Sequence, residues 1–220
     1  HLVSRRQRQM CIRDSKRLGK RVRIVPKTLK QFLEAMNKVT IIMIGGPGSG
    51  KSTYSKFISK HFGIPHIYTG DMMRELQKKD PEVAKIMDRG DLVPIGKVMK
   101  AVTSRLAKDD TENGYILDGF PRNIEQLNKM KEEEIGYNYV VYLNVSDEEV
   151  IKRLTARGRK DDKPEIIKNR LKVYEKETGP ALDEFRKSKR RFIEMIRRDF
   201  RNCFCGILIL FLATNILGQV

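Results

Sequence analysis

Lys51, Ser52 and Thr53 stand directly behind a glycine-rich turn, Gly45–Gly50, which itself follows an apolar run beginning at Val39. The order Gly45, Gly50, Lys51, Ser52 fits the phosphate-loop spacing G-x-x-x-x-G-K-[ST]. Bare glycines let the backbone N–H groups of Gly46, Gly48, Ser49 and Gly50 wrap a polyphosphate, an approach that side chains would block. A helix opening near Gly50 adds unpaired N–H groups and a positive dipole end. Lys51 would then reach the outer phosphates as a mobile cation, and the Ser52 hydroxyl would ligate a divalent metal. A dinucleotide fingerprint is excluded, because the third glycine it needs after Gly48 has no place. The bland alternative, a glycine turn with no ligand, sits badly with spacing this complete and with flanks that read as strand and helix.

Three further motifs follow in order: YTGDMMR (Tyr68 to Arg74), RGDLVP (Arg89 to Pro94) and YILDGFPRN (Tyr115 to Asn123), with Gln126 three residues beyond the last. Together with the phosphate loop, the set resembles the adenylate kinase family of nucleoside monophosphate kinases over about residues 38–185. The resemblance implies reversible transfer of a phosphoryl group from ATP to AMP, giving two ADP, with Mg²⁺ and without zinc. Such chemistry is chiefly positioning and charge neutralisation. Lys51 and the loop residues Gly46, Gly48, Ser49, Gly50, Ser52 and Thr53 would hold ATP. Asp118, at the end of an apolar run, would share Mg²⁺ with Ser52, partly through water, and Asp71 is a second candidate for its outer shell. The alternative for Asp118 is a turn or helix cap.

Arg74 and Arg122 match the arginines that clamp the monophosphate in that family, where forked donors suit phosphate oxygens. Arg153, Arg157, Arg159 and Arg170 match those around the donor and the transferring group; each alone would read as a solvated surface charge. Thr69, Gly119 and Gln126 complete the expected AMP site, Gln126 offering an amide to the base edge. Thr69 and Gln126 favour AMP, whereas Asn123 in DGFPRN is as typical of UMP/CMP kinases, so those acceptors stay open. A rival from another class is a phosphate-loop ATPase acting on RNA or a protein through basic ends.

The elements that must position these residues alternate. Strand-like runs at Val39–Ile44, His66–Tyr68, Tyr115–Leu117 and Tyr139–Val145 are separated by helical patterns at Lys51–His61, Gly70–Lys78, Pro81–Asp88, Ile95–Lys108, Ile124–Lys131 and Asp147–Ala156, and one long pattern spans Pro164–Phe185. Strands alternating with helices predict an α/β fold: a parallel phosphate-loop sheet of about five strands flanked by helices, with right-handed crossovers. Residues 69–98 are expected to form a small helical insert for the monophosphate, with Gly90 and Gly96 as hinges or caps, and Met72 and Met73 as ordinary packing. Asp147 reads as a helix cap. Residues 157–162, RGRKDD, leave almost nothing for a lid, which predicts weak donor selection or wasteful ATP hydrolysis.

The net charge of +17 sits at the ends of the chain. Residues 1–38 hold 12 Lys/Arg against 2 Asp/Glu, residues 186–201 hold 8 against 2, and residues 39–185 are nearly neutral at 25 against 24. A near-neutral core argues against nucleic acid as its partner, leaving small nucleotides. His1–Ser15 has no hydrophobic period or caps and resembles translated adapter read-through, so residues 1–35 are expected to be a foreign or disordered basic extension, with Met36 opening a 36–185 core. Residues 186–220 read either as a basic helix followed by an apolar stretch, Gly206–Leu212, that could supply the fifth strand, or as foreign sequence after a reading-frame shift near Lys187, in which case that strand is lost. Cys203–Ala213 is too short for a confident membrane span. Cys11, Cys203 and Cys205 form no disulfide framework, consistent with a cytoplasmic protein, and a monomer is expected.

Overall fold

The computed structural model describes residues 39–159, 162–188 and 191–196. Five parallel strands form one sheet in the order β2-β3-β1-β4-β5. They are β1 (Val39–Gly45), β2 (His66–Tyr68), β3 (Gly114–Asp118), β4 (Tyr139–Asn144) and β5 (Arg191–Ile196). Between them lie α1 (Lys51–Phe62), α2 (Thr69–Gln77), α3 (Pro81–Arg89), α4 (Ile95–Leu106), α5 (Ile124–Glu132), α6 (Asp147–Arg157), α7 (Pro164–Val173) and α8 (Gly179–Lys187). The register sets Met43 and Tyr68 level with Asp118, and Gly45 level with Leu143, so the carboxyl ends of β1 to β4 share one edge. Open parallel sheets bind ligands at that edge.

Both faces of the sheet are covered, which is why its strands read as continuous apolar runs rather than alternating ones. Ile41 and Met43 of β1 pack with Tyr54, Ile58 and Phe62, which recur every four residues along α1. Ile42 and Ile44 face the other way, against Met73, Val83, Val102, Leu127, Met130 and Phe185 from α2 to α5 and α8. Each such side chain contributes about 1.5–3 kcal/mol when fully buried. Asp80 caps α3, accepting from the backbone N–H groups of Glu82 and Val83, with Pro81 in the first turn. Lys97 of α4 pairs with the same carboxylate and ties the two helices together.

Several expectations change. The helix expected over Pro164–Phe185 is interrupted by a π-helical turn, Tyr174–Thr178. Pro180 has no N–H to give the carbonyl four residues back, and Thr178 instead donates its hydroxyl to Arg122 O at 2.8 Å. Ser146, not Asp147, is the extended residue that precedes α6, and Asp147 lies inside its first turn. Gly90 is a left-handed C-cap of α3. Residues 191–196 form a strand rather than a basic helix: Phe192 and Ile193 lie on opposite faces beside β4, and Arg186 stacks over Tyr142 and Phe192 while pairing with Glu194. This strand takes the edge position that was expected for Gly206–Leu212, which, like residues 1–38, lies outside the described residues.

Candidate active site

At the carboxyl edge of the sheet, the turn after β1 folds over the start of α1. Lys51 donates from Nζ to the carbonyls of Gly45 at 2.7 Å and Gly46 at 2.8 Å, so the ammonium lies across its own loop. Gly48 has φ 71°, and a Cβ there would stand 2.9 Å from Leu154 Cγ, so a glycine is needed for α6 to pack on the loop. Beside the lysine, Ser52 Oγ donates to Asp118 Oδ2 at 2.7 Å, and His66 Nε2 lies 3.0 Å from the same oxygen. Asp118 is fully buried, and its second oxygen, Oδ1, has no hydrogen-bond partner. That is no capping geometry. A buried carboxylate oxygen left unmatched next to a serine hydroxyl fits a hard cation, with the remaining ligands coming from phosphates and water. Among the described residues no cluster of three His, Cys, Asp or Glu side chains is placed to hold a metal.

Opposite this floor stands a wall of arginines. Arg122 follows the Gly119–Pro121 turn and donates from Nε to Gly119 O at 2.8 Å. Arg157 forks onto Asp162 at 2.8 and 2.6 Å, the Arg159 backbone N–H donates to the same carboxylate at 3.0 Å, and Arg170 Nη1 lies 3.6 Å from it. The Asp162 side chain is only 1% exposed. Burial works against its charge, but the Arg157 bonds, the backbone bond and Arg170 outweigh it and hold the carboxyl below its usual range. Arg153 of α6 pairs with Glu149 at 2.6 Å. Floor and wall enclose one cavity of about 720 Å³, lined by Lys51, Ser52, Arg122, Arg153, Arg157, Arg159 and Arg170 among others.

The cations converge. Lys51 falls from its ordinary 10.5 to about 8, first because protein surrounds it, with Asp118 opposing and Arg122, Arg170 and Arg157 adding repulsion. Arg122 is lowered as well, chiefly by the same enclosure.

The remaining expected residues are placed less directly. Arg74 pairs with Asp71 and lies over the Tyr68 ring, and it is not among the residues lining the central cavity. Asp71 shares a lateral recess of about 310 Å³ with Ser52 and His66. Thr69 is buried and donates its hydroxyl to Asp118 O at 3.0 Å. Gln126 is buried too, its Oε1 accepting from the Arg122 N–H at 2.8 Å. Asn123 caps α5 through Gln126 N, and its amide reaches Glu177 at 3.3 Å, which accounts for its presence without any contact to a base. His66, Asp162, Tyr68 and Tyr174 were not singled out from the sequence. Of these, Asp162 carried a local signal, as the second of the two aspartates in RGRKDD.

The model of the family described as adenylate kinase matches residues 43–190. The chain belongs to the adenylate kinase family. It is similar to proteins named adenylate kinase from Mycobacterium sp. (strain MCS), at 39% identity over 154 residues, and from Leptospira biflexa serovar Patoc, at 42% over 158; in each case 66% of this chain and 85% of the relative are covered. Similarity to the adenylate kinase of Thermosipho africanus extends over 193 residues at 35% identity, 70% of this chain and 90% of that protein. An adenylate kinase family member is a nucleoside monophosphate kinase, and the facing floor and wall suit a site that must hold two nucleotides. No helix among the described residues is long and apolar enough to cross a membrane.

Proposed function

We propose that the chain transfers the terminal phosphoryl group of ATP to AMP, forming two ADP, with Mg²⁺. One observation carries this reading: Lys51 shares a single cavity with Arg122, Arg157 and Arg170, all three of which act against its charge, while Asp118 beside the lysine and Asp162 beside Arg157 and Arg170 offset only part of that positive charge. Such an arrangement is favourable when anions occupy it, and two nucleotides end to end bring several negative charges to one point.

The loop amides and Lys51 would cradle the donor phosphates. Ser52 and Asp118 would hold Mg²⁺, which supplies charge neutralisation on those phosphates. Arg122 would take the acceptor phosphate, and Arg157, Arg159 and Arg170 would meet the group in flight, with Arg153 on the donor side. Arg74 would support the acceptor side from behind Tyr68, and Asp71 the outer shell of the metal. Because Gln126 Oε1 is engaged by Arg122, base recognition would use its amide N–H, a donor that matches the N1 acceptor of adenine.

A coupled assay of ADP formation with AMP, UMP and CMP offered in turn tests the proposal. The expected order puts AMP first, and equal or better turnover of UMP or CMP would overturn the assignment. ADP release from ATP alone measures how well the short segment 157–162 keeps water out.

A further inference from the structure

Tyr68 has no task in this scheme, yet it lines both the central cavity and the lateral recess that holds Asp71 and His66. Its pose is set from three directions. A Cβ on Gly70 would stand 2.6–2.8 Å from the tip of the Tyr68 ring, so the ring lies across the one residue of the α2 turn that leaves room for it. The His66 ring stacks against it at 6.0 Å between centroids and 20° between planes. The Arg74 guanidinium covers its face at 5.2 Å from the centroid.

This places a phenol at the cavity surface with one guanidinium against its ring and a second, that of Arg122, lining the same cavity. A phenol oxygen can accept and donate at once. With Arg74 against the ring face, the O–H at the cavity surface is left to turn toward an anion. Resting on the kinase reading above, we propose that Tyr68 is a ligand of the acceptor nucleotide's phosphate, donating its O–H to an oxygen of the group that Arg122 holds, with Arg74 fixing the ring from behind. The opposing electrostatics agree: burial disfavours the charge of Arg74, while the Tyr68 oxygen and Asp71 more than restore it.

The test is Tyr68→Phe in the full chain, which keeps the ring and removes the hydroxyl. Calorimetric affinity for AMP is expected to fall about tenfold, as for a lost hydrogen bond to a charged group, while affinity for adenosine stays within about twofold. In initial-rate assays the AMP KM rises and the ATP KM does not. Gly70→Ala, which must push the ring aside, should give the same pattern. Unchanged AMP affinity, or an equal loss for AMP and adenosine, would overturn the proposal. Wild-type protein that binds AMP yet makes no ADP would instead overturn the kinase reading, and the comparison of AMP with adenosine would still decide the role of Tyr68.

Discussion

On the floor of the cavity, Lys51 is held by carbonyls of its own loop and Ser52 by a strand residue of fixed register. Along the wall, Arg157, Arg159 and Arg170 gather around one buried carboxylate, Asp162, contributed by a short segment between two helices. Backbone positions the floor; side-chain pairing positions the wall. Substitutions on the floor should therefore remove chemistry and leave the fold, whereas loss of Asp162 should disturb several arginines together.

The sharpest test of that contrast is Lys51→Met. Phosphoryl transfer should drop roughly 10²–10³-fold, with no loss in thermal midpoint, because the substitution removes a cation from a crowded site. A midpoint lowered as far as the activity would break the comparison. Asp118→Asn, nearly isosteric, should cost on the order of 10²-fold and shift the Mg²⁺ dependence to higher concentration, read from rates across a magnesium titration. Asp162→Ala should raise the ATP KM about tenfold and lower stability by roughly 1–3 kcal/mol, measured by denaturant unfolding; an unchanged KM would mean that the wall does not depend on the carboxylate.

The depressed Lys51 pKa gives a pH test. In the free chain the ammonium loses its proton near pH 8, and bound phosphates would restore it. Nucleotide binding should thus take up a proton above pH 8, with affinity falling by up to about tenfold per pH unit; calorimetry in two buffers of different ionisation enthalpy reads this, and Lys51→Met should abolish it. For folding the sign is opposite to that of a stabilised lysine. The folded value lies below the ordinary 10.5, so the unfolded chain binds more protons between about 8 and 10.5, and stability relative to Lys51→Met should rise across that window. Smallest of all, Asn123→Ala should cost about 1 kcal/mol as a lost helix cap and leave the preference among AMP, UMP and CMP unchanged.

Legibility followed the same division. The phosphate loop could be read because its chemistry depends on backbone amides and glycines at set spacings. Four of the five strands could be read because a doubly covered parallel sheet demands apolar runs. β5 was missed because RFIEMI lies in a basic stretch whose charges, Arg191 over Tyr139 and Glu194 beside Arg186, are settled by neighbours. The π-turn was missed because helical periodicity runs through Tyr174–Thr178 and only the contact of Thr178 with Arg122 reveals the break. Asp118 was expected to matter, but its two unequal oxygens, one shared by Ser52 and His66 and one unmatched, exist only once β2, β3 and α1 are packed.

By itself, then, the sequence determined four of the five strands, most of the helices, the parallel pairing and the phosphate-loop motif, since each follows from local periodicity or from a motif whose residues are neighbours along the chain. Tertiary structure alone decided how the charges were shared out: Asp162 among the arginines, Gln126 to the Arg122 amide, Asn123 to a helix end and Tyr68 to the cavity surface. The physical reason is range. A hydrogen bond or ion pair between side chains many residues apart leaves no periodic trace, and its partner is set by which surfaces meet when both faces of the sheet are covered.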